Sequence, residues 1–185
     1  MTQVASTTTG LVLSAGGSTR MGQPKALLDW HGTPLITAHL HALSVHCGHL
    51  IVVLGSQSDL IARAIPAGVE IRRNVDWEQT QMSDSLRIGL AGVTGMCVFT
   101  PVDVPPVPAA ILKVLLEQPG PAVSRFDGED GHPVLFDAKT TFLDLARTPL
   151  DQSLANAARL DVDWPGCTES WNTPAQWRAQ SPAGS

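Results

Sequence analysis

The segment Leu13-Ser14-Ala15-Gly16-Gly17-Ser18-Thr19-Arg20-Met21-Gly22-Gln23-Pro24-Lys25 gathers small residues and two cations in one short stretch. Small side chains at 14 to 18 let backbone N–H groups come close to an anion, and Arg20 and Lys25 bring positive charge to the same place. A polyphosphate is the ligand such a loop suits. It is not a Walker A loop, because Gln23 stands where that motif needs Lys after its second glycine, and Gly16, Gly17 and Gly22 do not space as GxGxxG. The plainer alternative is a tight turn that uses glycine only for its backbone. A second chemical signal is Asp103, which follows the apolar run Met96-Cys97-Val98-Phe99 through Thr100-Pro101-Val102. A lone carboxylate there suits Mg²⁺, which takes few protein oxygens and completes its shell with phosphate and water. The alternative role is to cap a helix that begins near Pro108, but Asp103 lies far upstream for an N-cap, which favours the metal.

The elements that must position these groups are legible as alternating short apolar runs and helical periods. Leu11-Val12-Leu13, Leu50-Ile51-Val52-Val53-Leu54 and Met96 to Phe99 are apolar on both faces, as strands covered on both sides must be. Between them, Leu35, Ile36, Leu40, Leu43 and then Leu60, Ile61, Ala64, Ile65 have helical spacing. This order predicts a single-domain, three-layer α/β fold: a mainly parallel sheet with right-handed crossovers and helices on both faces. Ligands of such sheets bind outside the carboxyl ends of the strands, where the loop after Leu13 and Asp103 both fall. Beyond Pro119 the pattern is less regular, with a strand expected at Pro133-Val134-Leu135-Phe136 and a helix over Thr141 to Ala146. The folded domain is expected over 10–180, with flexible ends at 1–9 and 181–185 that hold little apolar surface.

Composition excludes several classes. The 185 residues leave room for one sizeable core and not for two. At 43% hydrophobic and 16% charged, the chain is globular rather than disordered. Twelve Lys and Arg against 17 Asp and Glu give a net charge of -5, with no basic face to replace counterions, so nucleic acid is not the expected partner. Cys47, Cys97 and Cys167 are widely spaced with no CxxC pair, which indicates neither a disulfide framework nor a zinc site. No leader-like start and no long apolar run are present, so no membrane partner is expected and a cytoplasmic location fits. His31, His39, His41, His46 and His49 crowd one region without an acidic or Cys partner, and His39, His41, His46 and His49 read as a solvated helix face rather than a metal cluster.

The pattern LxAGxSxRMGxxK over 13–25, followed by Ala26-Leu27-Leu28 and Gly32-Thr33-Pro34-Leu35, resembles the nucleotidyltransferases of the molybdenum cofactor and, more broadly, the nucleotide-diphospho-sugar transferase-like fold. The resemblance returns at Asn74 to Leu90, at Pro101 to Pro105, at Gly131-His132-Pro133-Val134-Leu135-Phe136 and at Trp171-Asn172-Thr173-Pro174. It implies that Leu13, Ser14, Ala15, Gly16, Gly17, Ser18, Lys25, Asn74 and Ser85 bind the nucleotide. It likewise implies that Arg20, Lys25 and Asp103 are catalytic, that Asp103 and Asn172 hold Mg²⁺, and that His132 lies on the acceptor side. Two of the later patches have a structural alternative here: Ser83 or Asp84 capping the helix at Ser85, and Asn172 or Thr173 capping a helix that starts at Pro174. The family often carries Gly where Thr80 or Gln81 stands here.

The implied reaction is in-line attack of an acceptor phosphate on the α-phosphorus of a nucleoside triphosphate, with pyrophosphate leaving. Positioning and charge neutralisation supply most of the acceleration in such chemistry. Ala15, Ser85 and Gly131-His132-Pro133 resemble the CTP-using branch, whereas Asn172 and Pro101-Val102-Asp103-Val104-Pro105 resemble the GTP-using one. CTP is favoured. The implied acceptor is molybdopterin or its molybdenum-bound form, and a molybdoenzyme or its chaperone would receive the product. A sugar-1-phosphate nucleotidyltransferase and a non-catalytic nucleotide- or cofactor-delivery protein are the alternatives. An oxidoreductase is disfavoured for want of the dinucleotide fingerprint.

Overall fold

The computed structural model describes residues 8–180, so the expected loose ends at 1–7 and 181–185 lie outside the described residues. Thr9 was expected to be part of the frayed start. Instead it is 4% exposed and opens the first strand, because its backbone pairs with His49 on one side and Cys97 on the other.

The chain runs β1 (Thr9–Ser14), a small hairpin of β2 (Asp29–Trp30) and β3 (Thr33–Pro34), α1 (Leu35–Ser44), β4 (His49–Leu54), α2 (Ser58–Ala62), β5 (Glu70–Arg73), α3 (Met82–Leu90), β6 (Met96–Pro101) and α4 (Ala109–Leu116). It continues through β7 (Ala122–Phe126), β8 (Glu129–Asp137), α5 (Ala138–Asp144), α6 (Leu150–Ser153), β9 (Ala158–Asp161) and α7 (Pro174–Gln180). Seven strands form one sheet in the order β5-β4-β1-β6-β8-β7-β9. The first four are mutually parallel, β8 runs antiparallel to β6 and β7, and β9 is parallel to β7. This is a single α/β domain with a mainly parallel sheet between helical layers.

Alternation along the strands separates the two cores. Val12, Val52 and Val98 pack with Leu35, Ile36, Leu40 and Leu43 of α1 and Leu112 and Leu115 of α4. Leu11, Leu13, Ile51, Val53, Cys97 and Phe99 point to the opposite face and pack with Leu86 and Leu90 of α3 and with Phe136 of β8. From β1 the chain steps outward to β4 and β5 and then returns to β6 on the other side of β1. The direction of winding therefore reverses between β1 and β6, and a crevice opens at their carboxyl ends. Val102 N–H donates to the Leu13 carbonyl at 3.0 Å, which ties the two strand ends together under that crevice. Among the described residues no helix is long and apolar enough to cross a membrane.

His39 departs from the expected solvated face. Only His39 and His41 lie on α1; His46 sits in the turn after it, and His49 opens β4 with its Nε2 3.0 Å from Glu70 Oε2, an acidic partner the spacing did not suggest. His41 is exposed, but His39 lies on the stripe of α1 that carries Leu35, Ile36, Leu40 and Leu43 and is fully buried. Its Nε2 lies 3.0 Å from the Val104 carbonyl, so Nε2 is the protonated nitrogen and donates to it. Burial lowers its pKa to about 4, with the Val104 and Val102 carbonyls and the Asp103 charge pulling the other way. A buried helical histidine thus anchors the loop that carries Asp103.

Two predictions follow from packing and titration. A Cβ on Gly55, just after β4, would stand 2.2 Å from the Ala15 carbonyl oxygen, whereas one on Gly16 meets nothing within 4 Å. Gly55→Ala should therefore cost about 1–3 kcal/mol in urea unfolding and Gly16→Ala almost nothing; equal costs would contradict this packing. Because the folded pKa of His39 lies below its unfolded value of 6.5, its contribution is intact above pH 6.5 and is lost as pH falls towards 4. That loss is on the order of 3 kcal/mol. His39→Gln, which keeps a donor but cannot titrate in this range, should flatten the fall in unfolding free energy between pH 6.5 and 4.5; an unchanged slope would exclude His39 as its source.

Candidate active site

The loop after β1 forms the floor of the crevice. Ser18 adopts the left-handed region with φ 49° and Gly22 with φ 71°, bracketing a single 3-10 turn at Thr19–Met21. A second such turn at Lys25–Leu27 brings the chain back, and Lys25 N–H donates to Ser18 Oγ at 3.2 Å. The loop is held from behind by Ser56 N–H, which donates to the Ala15 carbonyl at 3.3 Å. Gly17 sits flat against Trp77, where a Cβ would be 2.9 Å from the indole ring. A side chain at 17 would have to displace the Trp77 ring, and the turn alternative and the anion-binding reading share the same backbone.

Leu13, Ser14, Ala15, Gly16, Ser18, Lys25, Ser85 and Asp103 line one cleft of about 270 Å³ together with Trp77, Thr80, Gln81, Met82, Pro101 and Val102. The other expected residues surround it. Asn74 is buried behind Ser85, and its Nδ2 donates to Ser85 Oγ at 2.8 Å and to Thr80 Oγ1 at 2.7 Å. With its oxygen already accepting from Asn74, the Ser85 hydroxyl is free to donate into the cleft. The capping alternative holds for Asp84, whose Oδ2 accepts from the N–H of Gln81, the N-cap residue, at 2.9 Å, and the cap leaves the Ser85 side chain out. Arg20 is exposed and makes no hydrogen bond or ion pair among the described residues; with Ser18, Thr19, Lys25 and Asn172 it lines a side notch that adjoins the cleft.

At the mouth of the cleft three distant segments meet. Lys25 Nζ lies 3.0 Å from Asp103 Oδ2 and 2.9 Å from Asn172 Oδ1. Asn172 is delivered there by aromatic packing: the Trp171 ring lies 5.3 Å from Trp30 and 4.8 Å from Trp177, and Trp171 N–H donates to the Asp103 carbonyl at 2.7 Å. Capping of α7 falls to Thr173 and Gln176, since Gln176 N–H donates to Thr173 Oγ1 at 3.3 Å and Gln176 Oε1 accepts from the backbone N–H of both Asn172 and Thr173. The Asn172 side chain is therefore left for Lys25. No group of three His, Cys, Asp or Glu gathers to bind a metal among the described residues. Yet Asp103 and Asn172 present two hard oxygens to one cation-sized point, which fits Mg²⁺ if phosphate and water supply the remaining ligands.

His132 lies in a neighbouring pocket of about 360 Å³, which shares Gln81 and Met82 with the cleft and has walls of Val123, Val134, Pro149, Leu150 and Leu154. Its ring stands edge-on to Phe99 at 5.4 Å. Burial lowers its pKa to about 4 against the pull of the Asp103 charge, so the imidazole is neutral near pH 7. The polar rim holds Asp130, whose carboxyl burial would raise but which Arg125 and Arg159 hold below its ordinary range from 2.8 and 2.7 Å. Gly131 crosses so near the Cys167 carbonyl that a Cβ would be 2.0 Å from it, which explains glycine before His132. Trp77, Met82 and the anchoring His39 had no site role in the sequence reading. Trp77 had a signal in its place beside Asn74; His39 had one only in its position on the apolar stripe of α1.

Comparison with known proteins places this geometry. A molybdenum cofactor guanylyltransferase of Serratia proteamaculans is 30% identical over 131 residues, which are 69% of this chain and 65% of that protein. The molybdenum cofactor cytidylyltransferase of Escherichia coli is 30% identical over 130 residues, 68% of this chain and 67% of that protein. The chain thus spans just under two thirds of the first relative's length. Among solved structures, Rv0371c from Mycobacterium tuberculosis aligns with a TM-score of 0.78 at 27% identity, covering 95% of this chain and 98% of that one. A second structure of Rv0371c is a complex with manganese, with a TM-score of 0.72 at 26% identity over 93% and 96% of the two chains. The family model of the MobA-like NTP transferase domain matches residues 10–163, and the chain belongs to that family.

Proposed function

We propose that the chain transfers a nucleoside monophosphate, CMP in preference to GMP, from the triphosphate to the phosphate of a molybdopterin-type acceptor, with release of pyrophosphate. The observation that carries this reading is the convergence of Lys25, Asp103 and Asn172 at the mouth of a cleft floored by the 13–18 loop. Backbone N–H groups of Ala15 to Ser18 would hold the leaving phosphates, with Lys25 and the unpaired Arg20 neutralising them. Ser85, oriented by Asn74, would donate to the base. The attacking phosphate oxygen is ionised near neutral pH, so the chain needs no general base and works by holding two anions in line. Asp103 and Asn172 would hold a divalent ion, whose contribution there is to neutralise charge on the α-phosphate. The manganese complex of Rv0371c supports a divalent cation in this family.

The adjoining pocket suits the acceptor. Its apolar walls would cover a ring system, and neutral His132 can donate from one nitrogen and accept at the other. Ala15 favours the smaller base, since its methyl group lines the cleft at a position where GTP-using relatives tend to carry Gly. Asn172 favours the second reading, guanylyl transfer. The molybdoenzyme or chaperone that would take the product is part of the proposal and not of the fold.

Pyrophosphate release measured with CTP, GTP, UTP and ATP, each with Mg²⁺ and either molybdopterin or a sugar 1-phosphate, tests the reading. Release fastest with CTP is expected; release only with GTP would reassign the base, release only with a sugar 1-phosphate acceptor would reassign the acceptor, and binding without release would make the chain a carrier. In the same assay Lys25→Ala should lower turnover by roughly 10² or more while the fold, followed by circular dichroism, stays intact. An unchanged rate would remove Lys25 from the reaction.

A further inference from the structure

The two oxygens that fit a divalent cation are already taken. Lys25 Nζ donates to Asp103 Oδ2 at 3.0 Å and to Asn172 Oδ1 at 2.9 Å, and the paired side chains of Lys25 and Asp103 are only 14% and 26% exposed. An ammonium and a divalent ion cannot share that point, because both need the same oxygens and like charges at such separation repel strongly in a partly dry site. We propose that Lys25 masks the Asp103–Asn172 pair in the nucleotide-free chain. The phosphates of an incoming nucleotide draw its ammonium away and open the pair, so that nucleotide leads and metal follows.

Three observations carry this inference, which rests on the reading of the cleft as a triphosphate site. The backbone that carries the oxygens is anchored: the Asp103 carbonyl accepts from Trp171 N–H, the adjoining Val104 carbonyl is held by His39, and Asn172 donates from its N–H to Gln176 Oε1 and from its Nδ2 to Ser170 Oγ. The base of Lys25 is fixed as well, since its N–H donates to Ser18 Oγ. What is left to move is the flexible lysine side chain, and Lys25 lines both the side notch that holds Asn172 and the main cleft, so side-chain rotation alone carries Nζ from one to the other. A polyanion in the cleft gives the ammonium a new partner and gives the metal further oxygens, which couples the two binding events. By reciprocity the metal must raise nucleotide affinity by the same factor as nucleotide raises metal affinity.

The test is Mn²⁺ alone, titrated against the full chain and read by the electron paramagnetic resonance of the free ion. Lys25→Met should bind Mn²⁺ about ten-fold or more tightly than the unaltered chain, the size of an ordinary coupling, even though it loses turnover. Adding Asp103→Asn to Lys25→Met should abolish that gain. Equal or weaker Mn²⁺ binding by Lys25→Met, or a gain that survives Asp103→Asn, would overturn the proposal. If Lys25→Met does not fold, the ¹⁵Nζ resonance of Lys25 in the unaltered chain decides: it should shift on adding a non-hydrolysable CTP analogue in EDTA and not on adding Mg²⁺ alone, and the reverse pattern overturns the proposal. Calorimetry with the same analogue separates the two levels. No nucleotide binding would sink the triphosphate reading, whereas nucleotide binding with no Mn²⁺ gain in Lys25→Met would sink the mask alone.

Discussion

The bond of one ammonium, Lys25 Nζ, to Asp103 and Asn172 ties distant parts of the chain to one point at the mouth of the cleft. It joins the loop after β1, the loop after β6 and the turn before α7. The rest of the fold can be understood as what keeps those three segments in register. Parallel pairing of β1 with β6 sets the first two side by side, and the Leu13–Val102 hydrogen bond locks their ends. The Trp30, Trp171 and Trp177 cluster brings in the third. Buried His39 props the Asp103 loop from beneath.

Much of this was readable from residue order. Runs such as Leu50 to Leu54 are apolar on both faces, and only a covered strand accommodates that, so the parallel half of the sheet was legible. The loop after Leu13 and the placement of Asp103 were legible because strand ends in such sheets are local in sequence. The edges of the sheet were harder. Glu70-Ile71-Arg72-Arg73 at one edge and Ala158-Arg159-Leu160-Asp161 at the other are half exposed and carry charges, so they lack the apolar signature of the central strands. His39 was misjudged because a histidine reads as polar, and only the carbonyl of Val104 across the packed layer makes its burial tolerable. The choice between cap and ligand at Asn172 needed three dimensions: Gln176 and Thr173 take the capping role, and Lys25 lies far off along the chain.

The two cavities differ in their lining. The cleft mixes the small residues Ser14 to Gly16 and the charged pair Lys25 and Asp103 with Leu13, Trp77, Pro101 and Val102, while the adjoining pocket has apolar walls and a polar rim. Gln81 and Met82, at the start of α3, belong to both. The N-cap position of that helix therefore sits between the two cavities. His132 is neutral at pH 7 and so adds no charge to the adjoining pocket.

The most direct test of the central claim is a crystal structure of the chain with CTP or GTP and Mg²⁺. The triphosphate should rest on the N–H groups of Ala15 to Ser18, with Lys25 Nζ bonded to phosphate and Asp103 and Asn172 turned to the metal. A nucleotide bound outside this cleft, or bound within it while Lys25 keeps both of its present partners, would contradict the claim.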